Sequence, residues 1–229
     1  MGLKMREVYS AKDLIIRTFD FIKNKIAGSR FRSDVFSNIY RENLWGDTSS
    51  RSGCGSNLEN TAIVRKEMPE IFKKYNIQSV LDAPCGDFFW FKEISHLINS
   101  YIGVDIVEEL IISNENKYAS GSIKFFKKDI VVDSLPSSDC VVCRDCLIHL
   151  NKNSIIKVLL NFRKSGAKYL LLTNCSNVHQ FRDIITGSFR PINFLLKPFN
   201  FPKPLEIIKE NNEGRELCLW KISDIDLNI

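Results

Sequence analysis

No stretch of this 229-residue chain is apolar for the roughly 18 consecutive residues that a membrane-spanning helix requires. The opening residues, Met1 to Arg6, lack the long apolar core of an export signal. Gly2 does not begin a myristoylation signal, because position 6 is Arg where Ser or Thr is needed. A cytoplasmic location with no membrane partner is therefore expected. No strong charge imbalance exists either: 32 Lys and Arg against 27 Asp and Glu leave +5, which admits an anionic substrate without demanding nucleic acid. No dense basic stripe is present, and no nucleic-acid partner is expected. Histidine is scarce, with three in the chain, which leaves few neutral-pH bases. Internal repeats and low-complexity tracts are absent.

Cysteine is not scarce, but its seven copies lack a pairing pattern. An odd number at irregular spacings, with no export signal, argues for reduced thiols. Cys140-x-x-Cys143-x-x-Cys146 has the look of a metal motif. However, Asp139 to Cys143 reads as a buried strand, where residues three apart point to opposite faces, and no fourth ligand is evident. No metal is expected.

The length suits one domain with a full core, or one domain plus an extension. Residues 9–27 carry apolar residues at helical spacing and predict one or two N-terminal helices. The polar, glycine-bearing stretch Trp45 to Ser56 must be a loop, and a helix is predicted from about Leu58 to Tyr75 with Asn57 as its cap. From there short apolar runs alternate with amphipathic segments. Ser79–Asp82, Tyr101–Asp105, Ile123–Lys127, Cys140–Cys143 and Tyr169–Thr173 read as strands, and 88–98, 107–119 and 152–165 as helices. This alternation implies a parallel sheet covered on both faces. Residues 174–204 break the rhythm with four prolines. Their phenylalanines (Phe189, Phe194, Phe199, Phe201) predict an ordered, packed lid. Leu205–Lys209 and Leu217–Ile222 read as two further strands joined by turn residues Asn211 to Gly214. The predicted fold class is α/β: a doubly wound, mostly parallel seven-stranded sheet with an N-terminal helical extension and a C-terminal antiparallel hairpin. Residues 1–57 would form the helices and a cofactor-covering loop, and 58–229 the main domain.

One constellation carries chemistry. In Val80-Leu-Asp82-Ala83-Pro84-Cys85-Gly86-Asp87 a strand ends, the chain turns sharply, and a helix is predicted from about Phe88. Ligands approach a doubly wound sheet at such carboxyl ends. About 20 residues on, Tyr101-Ile-Gly-Val-Asp105 ends in an acid placed to grip ribose hydroxyls. After the third strand, Asp129 is placed to accept from an adenine amino group, with Ile130 against the ring.

With Asp82, Asp105 and Asp129 at consecutive strand ends, the chain from about Trp45 to Ile222 resembles the class I S-adenosylmethionine-dependent methyltransferases. Within them it is similar to a bacterial group acting on small molecules in sugar and surface-polysaccharide (capsule) biosynthesis. Further residues carrying this likeness are Ser52-Gly-Cys-Gly-Ser56, Cys143-Arg-Asp-Cys-Leu-Ile-His149, Asp183 to Asn193 and Pro198 to Leu205. Pro84 and Phe88 stand where the class carries its first and third loop glycines. The resemblance implies an S-adenosylmethionine site lined by Asp82, Pro84, Cys85, Gly86, Asp105, Ile106, Asp129, Ile130 and the Cys143–Arg144 backbone. Trp45 and Arg65 would close it, with Arg65 suited to the methionine carboxylate.

Methyl transfer to a hydroxyl needs a base near the end of the fourth or fifth strand. Candidates are Asp145 and His149 after strand four, and His179 and Asp183 after strand five. His149 is read either as the general base, with Asp145 orienting it or binding the acceptor, or as a satisfied histidine seating the strand-four loop. His96 is expected to be structural, and Arg182 and Arg190 are placed to bind a phosphate-bearing acceptor. The expected activity is O-methylation of a small polar acceptor, a nucleotide-activated sugar or related polysaccharide intermediate. The alternatives are a different small-molecule, nitrogen or phosphoramidate acceptor, and a non-catalytic cofactor binder. The N-terminal helices are expected to serve a homodimer or to cover the sheet.

Overall fold

The computed structural model describes residues 28–227. The predicted helices over 9–27 lie outside the described residues. In chain order come α1 (Ser29–Arg41), α2 (Ala62–Lys74), β1 (Ser79–Asp82), β2 (Ser100–Asp105), α3 (Glu108–Tyr118) and β3 (Ile123–Lys127). Then follow β4 (Cys140–Cys143), α4 (Lys152–Lys164), β5 (Tyr169–Cys175), β6 (Glu206–Lys209) and β7 (Arg215–Lys221). The seven strands form one sheet in the order β3-β2-β1-β4-β5-β7-β6. β1 to β5 pair in parallel, and β7 runs antiparallel between β5 and β6. The order reverses between β1 and β4, so a crevice opens beyond their carboxyl ends.

Both faces of the central strands β1, β4 and β5 are buried, and alternation along them sorts their side chains between two cores. Leu81, Val141, Cys143, Leu170 and Leu172 pack with Ile155, Val158, Leu159 and Phe162 of α4. Val80, Cys140, Val142 and Leu171 pack on the other face with Val64, Met68, Ile71 and Phe72 of α2 and with Leu110 and Ile111 of α3. Cys140 and Cys143 thus stand on opposite faces. α4 starts at a side-chain cap, Asn151 Oδ1 accepting from Ser154 N at 2.9 Å.

The structure differs from the sequence expectation in three places. The segment after the Asp82–Asp87 loop is two short 3₁₀ turns, Phe91–Glu93 and Ser95–Leu97, instead of a helix over 88–98. Phe88 has φ +59°, a left-handed conformation that no helix starts from. Its ring is buried against Tyr101 and Phe125, with centroids at 4.6 and 5.2 Å, so aromatic packing overrides helical periodicity. Secondly, α2 begins at Ala62, and Asn57 closes the preceding turn through Asn60 N at 2.8 Å. Thirdly, only part of the 174–204 segment, expected as a packed lid, is buried. Phe194, Phe199 and Phe201 are buried, while Phe189 is 66% exposed.

Candidate active site

The crevice between β1 and β4 deepens into a cavity whose wall includes Asp82, Pro84, Cys85, Gly86, Asp105, Ile106, Asp129 and Ile130 from the first three strand ends. Arg144, Asp145 and His149 line it from beyond β4, and Trp45 from the N-terminal loop. Cys143 is not in this wall; its side chain is buried in the core beside α4. Arg65 is not in the wall either, contrary to the sequence expectation. Its guanidinium turns back toward the start of α2 and donates to Leu58 O at 2.7 Å and Thr61 Oγ1 at 3.3 Å.

The loop after β1 is held by its neighbours. Gly86 has φ +54°, and its N–H donates to Asp105 Oδ2 at 3.2 Å. A Cβ on Gly86 would lie 2.3 Å from Ser52 Oγ, so only glycine fits under the strap formed by residues 45–56. The Asp87 carboxylate fastens that strap, accepting from Ser50 Oγ at 2.9 Å, Arg51 N at 2.8 Å and Ser52 Oγ at 3.2 Å. Asp105 accepts also from Val107 N at 3.0 Å. Burial pushes its pKa up to about 6 against those two backbone bonds. Asp82 is fully enclosed, and burial drives its pKa up to about 8, opposed by the Tyr101 hydroxyl donating to it at 2.8 Å.

Asp129 is not the free acceptor expected for an adenine amino group. Arg32 of α1 engages it with a fork, Nε at 3.0 Å and Nη2 at 2.6 Å to Oδ2, and Val131 N donates to Oδ1 at 3.0 Å. Arg32 and Asp129 are both buried. Arg32, Phe36 and Tyr40 all line the cavity. Their spacing of four puts them along one stripe of α1, a signal present in the sequence, though nothing there told which element the stripe would meet.

Beyond β4, Asp145 has φ +54°. Its backbone N–H donates to Thr173 Oγ1 at 2.8 Å, and its carboxylate is bonded by Arg215 Nη2. Arg144 Nη1 lies 3.4 Å from the same carboxylate, and Arg144 and Arg215 share the buried Glu210 at 2.6 and 3.0 Å. Asp145 therefore belongs to a charge network with the β6–β7 turn, and does not orient His149 as expected. His149 is oriented by a carbonyl instead. Its Nδ1 lies 2.9 Å from Ser188 O. A carbonyl only accepts, so Nδ1 carries the proton and Nε2 keeps its lone pair. Burial lowers the His149 pKa from its ordinary 6.5, partly offset by the Ser188 bond and Asp145. Trp45 stacks on the imidazole at 5.1 Å.

The remaining candidates stand elsewhere. His179 is exposed and outside the cavity wall. Asp183 accepts from Lys152 N at 2.7 Å, capping α4. Arg190, expected to bind phosphate, is buried and donates to the carbonyls of Leu147, Ile148 and Leu150 at 3.1, 3.0 and 2.7 Å. Arg182 and His96 are exposed. Among the described residues, no three of His, Cys, Asp and Glu gather as metal ligands, and no helix is long and apolar enough to cross a membrane.

No protein-family model matches the chain, and no curated protein matches it. Solved structures do. A S-adenosylmethionine-dependent methyltransferase from Anabaena variabilis superposes with a TM-score of 0.58 at 13% identity, covering 82% of this chain and 94% of its own. Phosphoethanolamine N-methyltransferase 1 of Haemonchus contortus, solved with phosphoethanolamine and S-adenosylhomocysteine, gives a TM-score of 0.50 at 18% identity. The match covers 70% of this chain and 36% of that one. At these identities the likeness is one of architecture: the chain has the α/β fold seen in S-adenosylmethionine-dependent methyltransferases.

Proposed function

We propose that the chain is an S-adenosylmethionine-dependent O-methyltransferase acting on a small polar acceptor, a nucleotide-activated sugar or related surface-polysaccharide intermediate. The observation that carries this reading is the sharing of one cavity by Asp82, Gly86, Asp105 and His149 at the reversal point of the sheet. The cavity's donor set fits an adenosine cofactor better than a dinucleotide. Asp105 supplies acceptors for a ribose diol, and Ile106, Leu110 and Ile130 supply an apolar wall for a purine. A pyrophosphate needs free N–H groups in the loop. Here Pro84 has none, Phe88 N donates to Cys85 O at 3.4 Å, and Gly86 N is taken by Asp105. Asp105, with its pKa near 6, is ionised near pH 7 and would further repel an anion, whereas it suits a ligand bearing a positive charge.

When bound, the cofactor supplies an electrophilic methyl group on a sulfonium and leaves as S-adenosylhomocysteine. The chain's own task is alignment and proton removal. Asp105 and the strapped loop position the nucleoside. The Ser188 carbonyl holds the Nδ1–H tautomer of His149, and burial keeps the ring neutral near pH 7. Nε2 is then free to take the acceptor hydroxyl's proton as its oxygen gains the methyl group. A screen of nucleotide sugars for S-adenosylhomocysteine production tests the proposal. Turnover with at least one sugar, lost in His149→Ala, is expected. Turnover with a phenol or amine and with no carbohydrate would overturn the acceptor class, and undiminished turnover in His149→Ala would remove that residue as base.

A further inference from the structure

We propose that Phe189 and Trp45 form a sugar-ring subsite beside His149, where the apolar C–H face of a pyranose acceptor packs against aromatic rings. This names the acceptor contacts of the methyltransferase reading above and rests on it.

Phe189 is 66% exposed, yet its sequence neighbours Arg190 and Ile192 are buried. The exposure is not slackness. Gly187 N donates to His149 O at 2.8 Å, Ser188 N to Ile185 O at 3.0 Å, and Arg190 N to Ile148 O at 3.0 Å. The Arg190 side chain then roots the segment in the carbonyls of the turn that carries His149. A large apolar ring is thus held in water by a fixed frame, with its centroid 5.9 Å from the His149 ring and inclined at 51°. Core packing does not explain it there.

Trp45 flanks the same imidazole from the cavity wall, which does not include Phe189. Trp45 is 36% exposed and stacks on His149 at 5.1 Å and 30°. Gly53 packs under it so closely that a Cβ would lie 3.0 Å from Trp45 Cβ, so its seat too is fixed. Two part-wet aromatic rings therefore attend the imidazole. Nδ1, at the imidazole's edge, is taken by Ser188 O, and Nε2 lies in the ring plane, where face stacking does not cover its lone pair. A pyranose matches this setting: its C–H face is apolar while its hydroxyls stay hydrated at the edge. A flat phenol gains most from a closed dry slot, and an open edge where Phe189 is 66% and Trp45 36% exposed suits an amphipathic ring.

Saturation-transfer NMR reads the subsite without turnover. The probes are UDP-glucose, GDP-mannose, methyl β-glucoside, catechol and UMP, each with S-adenosylhomocysteine present. The proteins are wild type, Phe189→Ala, Phe189→Tyr and, as a control, Phe126→Ala on the edge strand β3, where Phe126 is also exposed. Hexose ring protons should saturate in wild type. Phe189→Ala should weaken that binding about tenfold, Phe189→Tyr should restore most of it, and Phe126→Ala should change nothing. Calorimetric affinity for S-adenosylhomocysteine should be equal in all four proteins. Hexose binding unchanged in Phe189→Ala overturns the subsite, as does binding of catechol alone or of no ring probe. Loss of S-adenosylhomocysteine binding in wild type with hexose binding intact would sink the methyltransferase reading and leave the subsite standing.

Discussion

Replacing Arg190 by Met should unseat His149 while leaving the sheet intact. Arg190 donates three hydrogen bonds, to Leu147 O, Ile148 O and Leu150 O, at 3.1, 3.0 and 2.7 Å. A hydrogen bond from a charged group nets roughly 1.5–3 kcal/mol. Removing the buried guanidinium also returns part of its desolvation cost, so the net loss should be about 2–4 kcal/mol. For a domain of this size that is a fall of roughly 5–15 °C in Tm. The second readout is the imidazole itself. Burial is the main cause that holds the His149 pKa down, the Ser188 bond and Asp145 oppose it, and the Arg190 charge adds to the lowering. Without the guanidinium the pKa should rise toward 6.5. The sign carries into stability. A native imidazole that binds its proton less readily than the unfolded one makes the wild type lose stability as pH falls below 6.5. The variant should lose less over that range. With three histidines in the chain, the ring signals are few enough to assign against His149→Ala. A Tm within 1 °C of wild type (about 0.3 kcal/mol), together with an unmoved His149 titration, would refute the reasoning.

Further expectations concern the cofactor side. Gly86→Ala forces a Cβ to 2.3 Å from Ser52 Oγ at a φ of +54°. It should cost about 1–3 kcal/mol and weaken S-adenosylmethionine binding at least tenfold in calorimetry, with Ser52→Gly recovering part of both. Asp82→Asn tests the buried carboxyl. Its native pKa, near 8, is far above the ordinary 3.8, so wild-type stability falls as pH rises through that window. The amide should make the unliganded protein more stable at pH 9, on the order of 2 kcal/mol, with the gain vanishing toward pH 4 in denaturant titrations. Arg32→Ala leaves Asp129 buried and unpaired, and should destabilise by roughly 3–5 kcal/mol; adding Asp129→Asn should return much of that.

The sheet was legible because its strands are short apolar runs between amphipathic helices, and each parallel strand observed begins and ends within two residues of the run that predicts it. The strand-end acids were legible for the same reason, since a fixed topology fixes where Asp82, Asp105 and Asp129 emerge. Long-range pairing was not. Nothing in the local sequence says that Arg32 reaches Asp129 across 97 positions, or that Arg215 and Glu210 return from the hairpin to hold Asp145 and Arg144. Arg65 and Arg190 look like free cations in sequence, because a side chain satisfied by backbone carbonyls leaves no periodic trace. Phe88 misleads for the converse reason: its helical spacing is genuine, but its left-handed backbone follows from an aromatic cluster assembled from β2 and β3.

Calorimetric titration of the full chain with S-adenosylmethionine and with NAD, repeated on Asp105→Asn, bears most directly on the cavity's assignment. Saturable binding of S-adenosylmethionine, weakened at least tenfold in the variant, with no heat from NAD, is predicted. NAD binding with no response to S-adenosylmethionine would contradict the account.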